Sequence, residues 1–258
     1  MLTHMFGTGV RRGRAAAPAL AVVVLGQLLA SGCAGGPPTV PPSGVDELTI
    51  PTPSPHPDDF VDRVDNPWFP LRPGTTWTYR ETGDDGARTV VVTVTDQTRV
   101  VAGVATTVVH DVATDAHGKV VEDAFDWYAQ DRGGNVWHFG QDTVAHDGAG
   151  PDTTGSWQAG VDGAEAGLAM PAQPRLGDGY VRESAPGVAE GRAEVLSLDA
   201  RREVPFGTYD DLLLTQDTTP LEPGLVEERY YARGVGLVLE ETVAGGAQIV
   251  ELVGRTRG

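Results

Sequence analysis

Cysteine is almost missing from this 258-residue chain, which has one, Cys33. Without a second thiol there is no intrachain disulfide to staple a small fold, and no cysteine cluster to hold zinc. Lysine is equally scarce: Lys119 stands alone, and arginine fills the other basic positions. Positive charge as a whole is short, since the formal net charge is −17. Nucleic-acid binding needs a basic stripe, so the chain is not expected to hold polyanions or to lie against anionic lipid headgroups. The acidity fits solubility before it fits a specific partner. Helical periodicity is nearly absent as well. No serine sits in a Gly-x-Ser-x-Gly setting, and Gly234-Val235-Gly236 lies between two strand patterns with no helix to cradle a phosphate. Asp131-Arg132-Gly133-Gly134-Asn135 resembles a calcium loop in composition alone, without ligands at alternate positions or a distal glutamate, and reads as a hairpin turn. No cofactor is implied.

What is present begins at the N-terminus. Arg11-Arg12-Gly13-Arg14 precedes an apolar run from Ala15 to Ala30 interrupted by Gln27. A basic start, an apolar centre and small residues before a cut compose a secretory signal, and the run falls short of the roughly 20 apolar residues of a membrane span. Its end, Ala30-Ser31-Gly32-Cys33, resembles the lipobox of bacterial lipoproteins. That resemblance implies a signal over 1–32, cleavage before Cys33, and acylation of its thiol. It also implies a place on the extracytoplasmic face of the cell membrane, with the membrane as a partner through the lipid alone. No thiol would then remain for catalysis. Acyl chains contribute about 0.8 kcal/mol per buried methylene, enough to anchor the protein when more than one is attached. The arginine pair is only a fragment of a twin-arginine signal, so the export route stays open. The signal has three arginines and no acid, which leaves the mature part more negative than the whole chain. Usage rich in Ala, Gly, Val, Asp and Arg, together with the lipobox, suggests an actinobacterial type of envelope.

Residues 33–57 form the attachment point and a tether. Pro37-Pro38-Thr39-Val40-Pro41-Pro42 and Pro51-Thr52-Pro53-Ser54-Pro55 cannot bury enough apolar surface to fold, and their prolines keep the segment extended at about 3 Å per residue. From 58 to 258 the composition is globular. Asp59 to Val64 reads as one helical turn. Thr75 to Arg80, Arg88 to Asp96, Arg99 to Val101 and Val104 to Ala113 alternate as strands, separated by Gly, Asp and Pro turns. Lys119 to Gln130 is a long strand with Asp123, Phe125, Trp127 and Ala129 on one side and Glu122, Ala124, Asp126 and Tyr128 on the other. A hairpin leads to Val136 to Phe139, and Gly148 to Gly179 is an irregular excursion. Strands resume at 193–198, 202–205, 211–217, 225–231, 237–242 and 248–253. The expected fold is all-β: one domain of many antiparallel strands forming a strongly curved sheet, open barrel or sandwich, with one long excursion.

Three segments carry a further likeness: Asn66-Pro67-Trp68-Phe69-Pro70-Leu71-Arg72-Pro73-Gly74-Thr75-Thr76-Trp77-Thr78-Tyr79, Phe125-Asp126-Trp127-Tyr128-Ala129-Gln130-Asp131, and Tyr230-Tyr231-Ala232-Arg233-Gly234-Val235-Gly236-Leu237-Val238. They resemble a family of uncharacterised secreted bacterial proteins, from which no activity or site residue transfers. The opening strand and the closing Gly-Val-Gly hairpin also resemble the curved-sheet lipid carriers of bacterial envelopes, of the LolA and LppX type, which implies a concave face.

Two constellations bear on chemistry. Glu122 and Asp126, four apart on one strand face beside Trp127 and Tyr128, have the residue types of a glycosidase pair, whose carboxyls stand about 5–9.5 Å apart. Acids on a wet strand face beside amphipathic aromatics explain them better. His138, Asp142 and His146 are zinc- or copper-type ligands at a spacing that needs the chain to loop back. Among the aromatics, Trp77, Trp127, Tyr128 and Trp137 are candidates to line a cleft for an apolar or glycan ligand, although most aromatics of a β domain belong to the core. The expectation is a non-catalytic, lipid-anchored binding or envelope-maintenance protein. The alternatives are a hydrolase of envelope glycans and a structural, partner-binding lipoprotein. The oligomeric state is open.

Overall fold

The computed structural model describes residues 56–84, 86–146 and 150–258. The signal, Cys33 and most of the tether lie outside the described residues. Fifteen strands follow in chain order: β1 (Phe60–Val61), β2 (Thr76–Gly83), β3 (Gly86–Val101), β4 (Val104–Asp115), β5 (Val120–Asp131), β6 (Val136–His146), β7 (Pro151–Asp152), β8 (Trp157–Gln158), β9 (Gly167–Met170), β10 (Gly179–Val181), β11 (Arg192–Val204), β12 (Gly207–Thr218), β13 (Val226–Ala232), β14 (Gly236–Ala244) and β15 (Ile249–Thr256). They form one antiparallel sheet, ordered β10-β11-β12-β13-β14-β15-β2-β3-β4-β5-β6-β7, which does not close into a barrel. The last strand pairs with β2, so the two halves of the chain meet in the middle of the sheet.

Alternation along each strand sets which side is covered. On β2, Trp77, Tyr79 and Glu81 are buried, and on β3 so are Val90, Val92 and Val94, with Trp77 opposite Val92 and Tyr79 opposite Val90. Trp77 Nε1 donates to Val235 O at 2.8 Å, and Tyr79 Oη donates to Leu237 O at 3.0 Å. Both bonds reach over β15 to the neighbourhood of β14, so they hold the curvature as well as satisfying the buried polar tips. Fully burying an aliphatic or aromatic side chain of this kind contributes about 1.5–3 kcal/mol.

Three expectations change. The helical turn at Asp59 to Val64 is instead a 3-10 turn, Pro57–Asp59, followed by β1 against β5, because Phe60 packs edge-on against Phe139 at 5.2 Å. The break between Asp96 and Arg99 disappears: β3 runs through it with a register shift between Val94 and Thr98. The strands expected at 193–198 and 202–205 are likewise one, β11, with three register shifts. Bulges increase local twist and bend a strand without ending it, so a curved sheet carries sequence irregularities that a flat reading divides.

The two margins of the sheet face each other across a seam. β9 pairs with β6 on one side, placing Gly167 opposite His138. On the other side the chain leaves β10, and Glu165 bridges to Ser184, which is a single bridge instead of a ladder. Contact is so close that a Cβ on Gly167 would lie 2.0 Å from Arg182 O. Gly167→Ala is expected to force the margins apart and cost about 1–3 kcal/mol, read as a Tm loss of about 2–4 °C per kcal/mol in a domain of this size. Gly254→Ala, whose Cβ would meet Thr78 at an ordinary 3.7 Å, is expected to shift Tm by much less.

Candidate functional site

Charge is concentrated inside the sheet. A transverse row of paired positions, Glu81, Val250, Glu240, Arg229, Thr215 and Val195, crosses from β2 to β11. Arg229 is 1% exposed. Its Nε stands 2.8 Å from Glu240, its Nη2 3.1 Å from Glu227 and its Nη1 3.3 Å from Asp217, which also pairs with Arg182. Burial opposes the charge on Arg229, and the carboxylates of Glu240 and Glu227 more than offset it, raising its pKa. A buried guanidinium with its carboxylates around it stays ionised, and removing one partner would leave an uncompensated charge.

A second cluster lies at the seam. His138 on β6 is 1% exposed. Its Nε2 stands 2.9 Å from Asp126 Oδ1 and its Nδ1 3.6 Å from Glu183 Oε1, with the Tyr128 ring stacked on it at 4.7 Å. Burial works against the imidazolium, but the bonds to Asp126 and Glu183 outweigh it and hold the His138 pKa above 6.5. A carboxylate near each ring nitrogen favours the charged form of the ring. Glu122, on the same inward face, accepts from Thr143 Oγ1 at 3.3 Å. Burial is the main cause that raises its pKa to about 7, and Asp126 adds to the shift.

Open space lies beside the seam. The excursion after β6 returns as β8, and the following turn places Asp162 at φ 50° and Gly163 at φ 79°. Gly140 admits β8: it has φ 127°, and a Cβ there would meet Trp157 O at 2.4 Å. The result is a cleft of about 340 Å³. Its lining mixes polar residues, Arg99, Gln141, Asp142, Ser156, Gln158 and Asp162, with apolar ones, Trp127, Trp157, Val161, Ala164, Ala185, Pro186 and Val188. Arg99 lies over the Trp127 ring at 3.8 Å and donates from Nη2 to Gln158 Oε1 at 2.8 Å, which fixes the one cation of the lining. Trp157, Ala164 and Ala185 make a small apolar cluster of their own, and Trp157 meets His138 edge-on at 5.0 Å. That indole separates the cleft from the buried charges.

The sequence candidates distribute unevenly over these sites. Of the four aromatics, Trp127 lines the cleft. Trp77 and Tyr128 are wholly buried, and Trp137 donates from Nε1 to Asp131 Oδ2 at 2.9 Å, within the turn that Asp131 organises. Glu122 and Asp126 share the inward face as alternation requires, yet neither lines the cleft, and each has its own partner, Thr143 and His138. The metal set separates. His138 pairs with Tyr128 and points inward, whereas Asp142 pairs with Phe125 on the outer face, because the register shifts between Trp127 and Tyr128. His146 closes β6 opposite Pro151. No group of three His, Cys, Asp or Glu among the described residues is arranged for a metal ion. Sequence reasoning missed Arg99, Gln158, Asp162 and Val188, and, inside, Arg182, Glu183 and Arg229. A long, Gly- and Asp-rich excursion with one tryptophan was the available signal, since long loops in compact domains are commonly functional.

The sequence matches no family model and no curated protein. Two solved structures resemble the fold. One is an inferred exported protein with a YmcC-like fold from Bacteroides fragilis, 15% identical, with TM-score 0.44, covering 74% of this chain and 99% of its own. The other is an inferred lipoprotein from Parabacteroides distasonis, 12% identical, with TM-score 0.41, covering 76% of this chain and 100% of its own. At these values they carry no argument about what this chain does.

The protonated interior sets a pH dependence. His138 has a raised folded pKa, so its stabilisation is complete below pH 6.5 and is lost as pH rises through that folded value. Glu122 is protonated in the fold up to about pH 7 but ionises near 4.5 when unfolded, so stability again falls as pH rises between the two. The signs agree. Tm is expected to fall from pH 5 to pH 8, with Glu122 contributing roughly 3 kcal/mol or less. Glu122→Gln is expected to flatten the slope; thermal melts across that range check both.

Proposed function

We propose that this protein is a lipid-anchored, extracytoplasmic binding protein whose ligand site is the cleft beside the seam. The carrying observation is the contrast between two regions. The buried charges are consumed by one another, whereas the cleft offers about 340 Å³ lined by both polar and apolar residues. Ligand sites are concave, largely apolar and carry a few placed polar groups, at volumes from about 300 Å³ upward. The lipobox-like Ala30-Ser31-Gly32-Cys33 supports the anchor, and the proline-rich tether supports a domain held away from the membrane.

Hydrolysis through Glu122 and Asp126 has less support. A general acid needs hydrogen-bond reach to its substrate, and Asp126 is 0% exposed against His138. The membrane is a partner through the lipid; the net charge of −17 disfavours nucleic acid. Cys33→Ala is expected to abolish acylation and to shift the protein from the membrane to the soluble fraction. Native mass spectrometry of the wild-type protein extracted from its envelope is expected to show a non-covalent adduct in addition to the lipid mass. A protein that carries neither adduct nor lipid would contradict the proposal.

A further inference from the structure

We infer that the cleft holds a neutral sugar unit of an oligosaccharide, an inference that rests on the cleft being the ligand site. Its lining is of two kinds: Val161, Ala185, Pro186, Val188 and Trp157 are apolar, and Arg99, Asp142, Gln158 and Asp162 are polar. A pyranose ring has the matching division: an apolar face of C–H groups and a rim of hydroxyls that both donate and accept. The polar residues call for such dual character, because they comprise two carboxylate acceptors, a guanidinium donor and the Gln158 amide, with no uniform sign, while the Ser156 hydroxyl is engaged with Thr143.

Other ligand chemistries fit less well. An acyl chain would cover the apolar residues but would strip water from Asp142, Asp162 and Gln158 without replacing their hydrogen bonds, which is how a polar site rejects an apolar ligand. A phosphate or other anion would meet Asp142 and Asp162 in a chain of net charge −17. A cation would meet Arg99, held in place by Trp127 and Gln158.

A second observation points to a hydroxyl-bearing ligand. Trp157 is 7% exposed, and its Nε1–H has no acceptor among the described residues. A buried indole donor usually finds a partner, and this one belongs to the wall of the cleft. A ligand hydroxyl is an acceptor of the right kind.

The test is calorimetric titration of the complete acylated protein in phospholipid nanodiscs, with empty discs subtracted. The probes are neutral di- to tetrasaccharides of glucose, mannose, galactose, arabinose and N-acetylglucosamine, with laurate as the apolar probe. Val188→Trp, at a position 40% exposed, fills the cleft without touching the core. The expected result is binding of at least one saccharide, weakened at least tenfold by Val188→Trp and by Gln158→Ala, and no cleft-dependent binding of laurate. Laurate binding that Val188→Trp abolishes, with no saccharide bound, would overturn the sugar assignment and leave the cleft as the ligand site. Binding of neither probe, or saccharide binding that Val188→Trp leaves intact, would overturn both.

Discussion

An open sheet curved until its margins meet must hold those margins together without a ladder, and here the His138 contact with Asp126 and Glu183 does so. Asp126 is on β5, His138 on β6, and Glu183 just beyond β10 at the opposite margin. His138 therefore links β6 to the segment beyond β10, at opposite margins of a path of twelve strands. The Glu165–Ser184 bridge and the approach of Gly167 to Arg182 have geometric sense only if the margins are drawn together in this way. Buried ion pairs are poor sources of net stability, but losing one partner is costly. The network thus acts less as a reservoir of stability than as a condition on which closure is allowed.

The cleft is a by-product of the same geometry. The chain between β6 and β10 crosses the seam as short strands and left-handed turns. Trp157 is shared: one side belongs to the wall of the cleft and its edge meets His138. Any ligand that moves this indole therefore touches the residue that holds the margins. Arg99 reaches the same place from β3, stacked on Trp127 from β5, so strands far from the excursion in sequence complete the site.

Much of the architecture was legible in the residues. Period-two alternation in Val90, Val92 and Val94, and the split of Glu122, Ala124, Asp126 and Tyr128 from Asp123, Phe125 and Trp127, fixed faces that the structure keeps. Strand continuity was not legible at Val94 to Thr98 or through Ala200, where bulges interrupt the alternation but not the strand. The site was less legible still. Trp127 stood out by type, but Trp77 and Tyr128 look the same in sequence and differ only in which face of a curved sheet they occupy. His138 and Asp142 share a strand, and a one-residue register shift puts them on opposite faces. Arg229 and Glu240 face each other across two strands, a pairing that no local pattern encodes.

The central claim is that the seam is closed by a charged imidazole between two carboxylates. Nitrogen-15 NMR of the His138 ring across pH reads this directly. The account predicts a titration midpoint above 6.5, with both ring nitrogens protonated below it. A midpoint at or below 6.5 would contradict it.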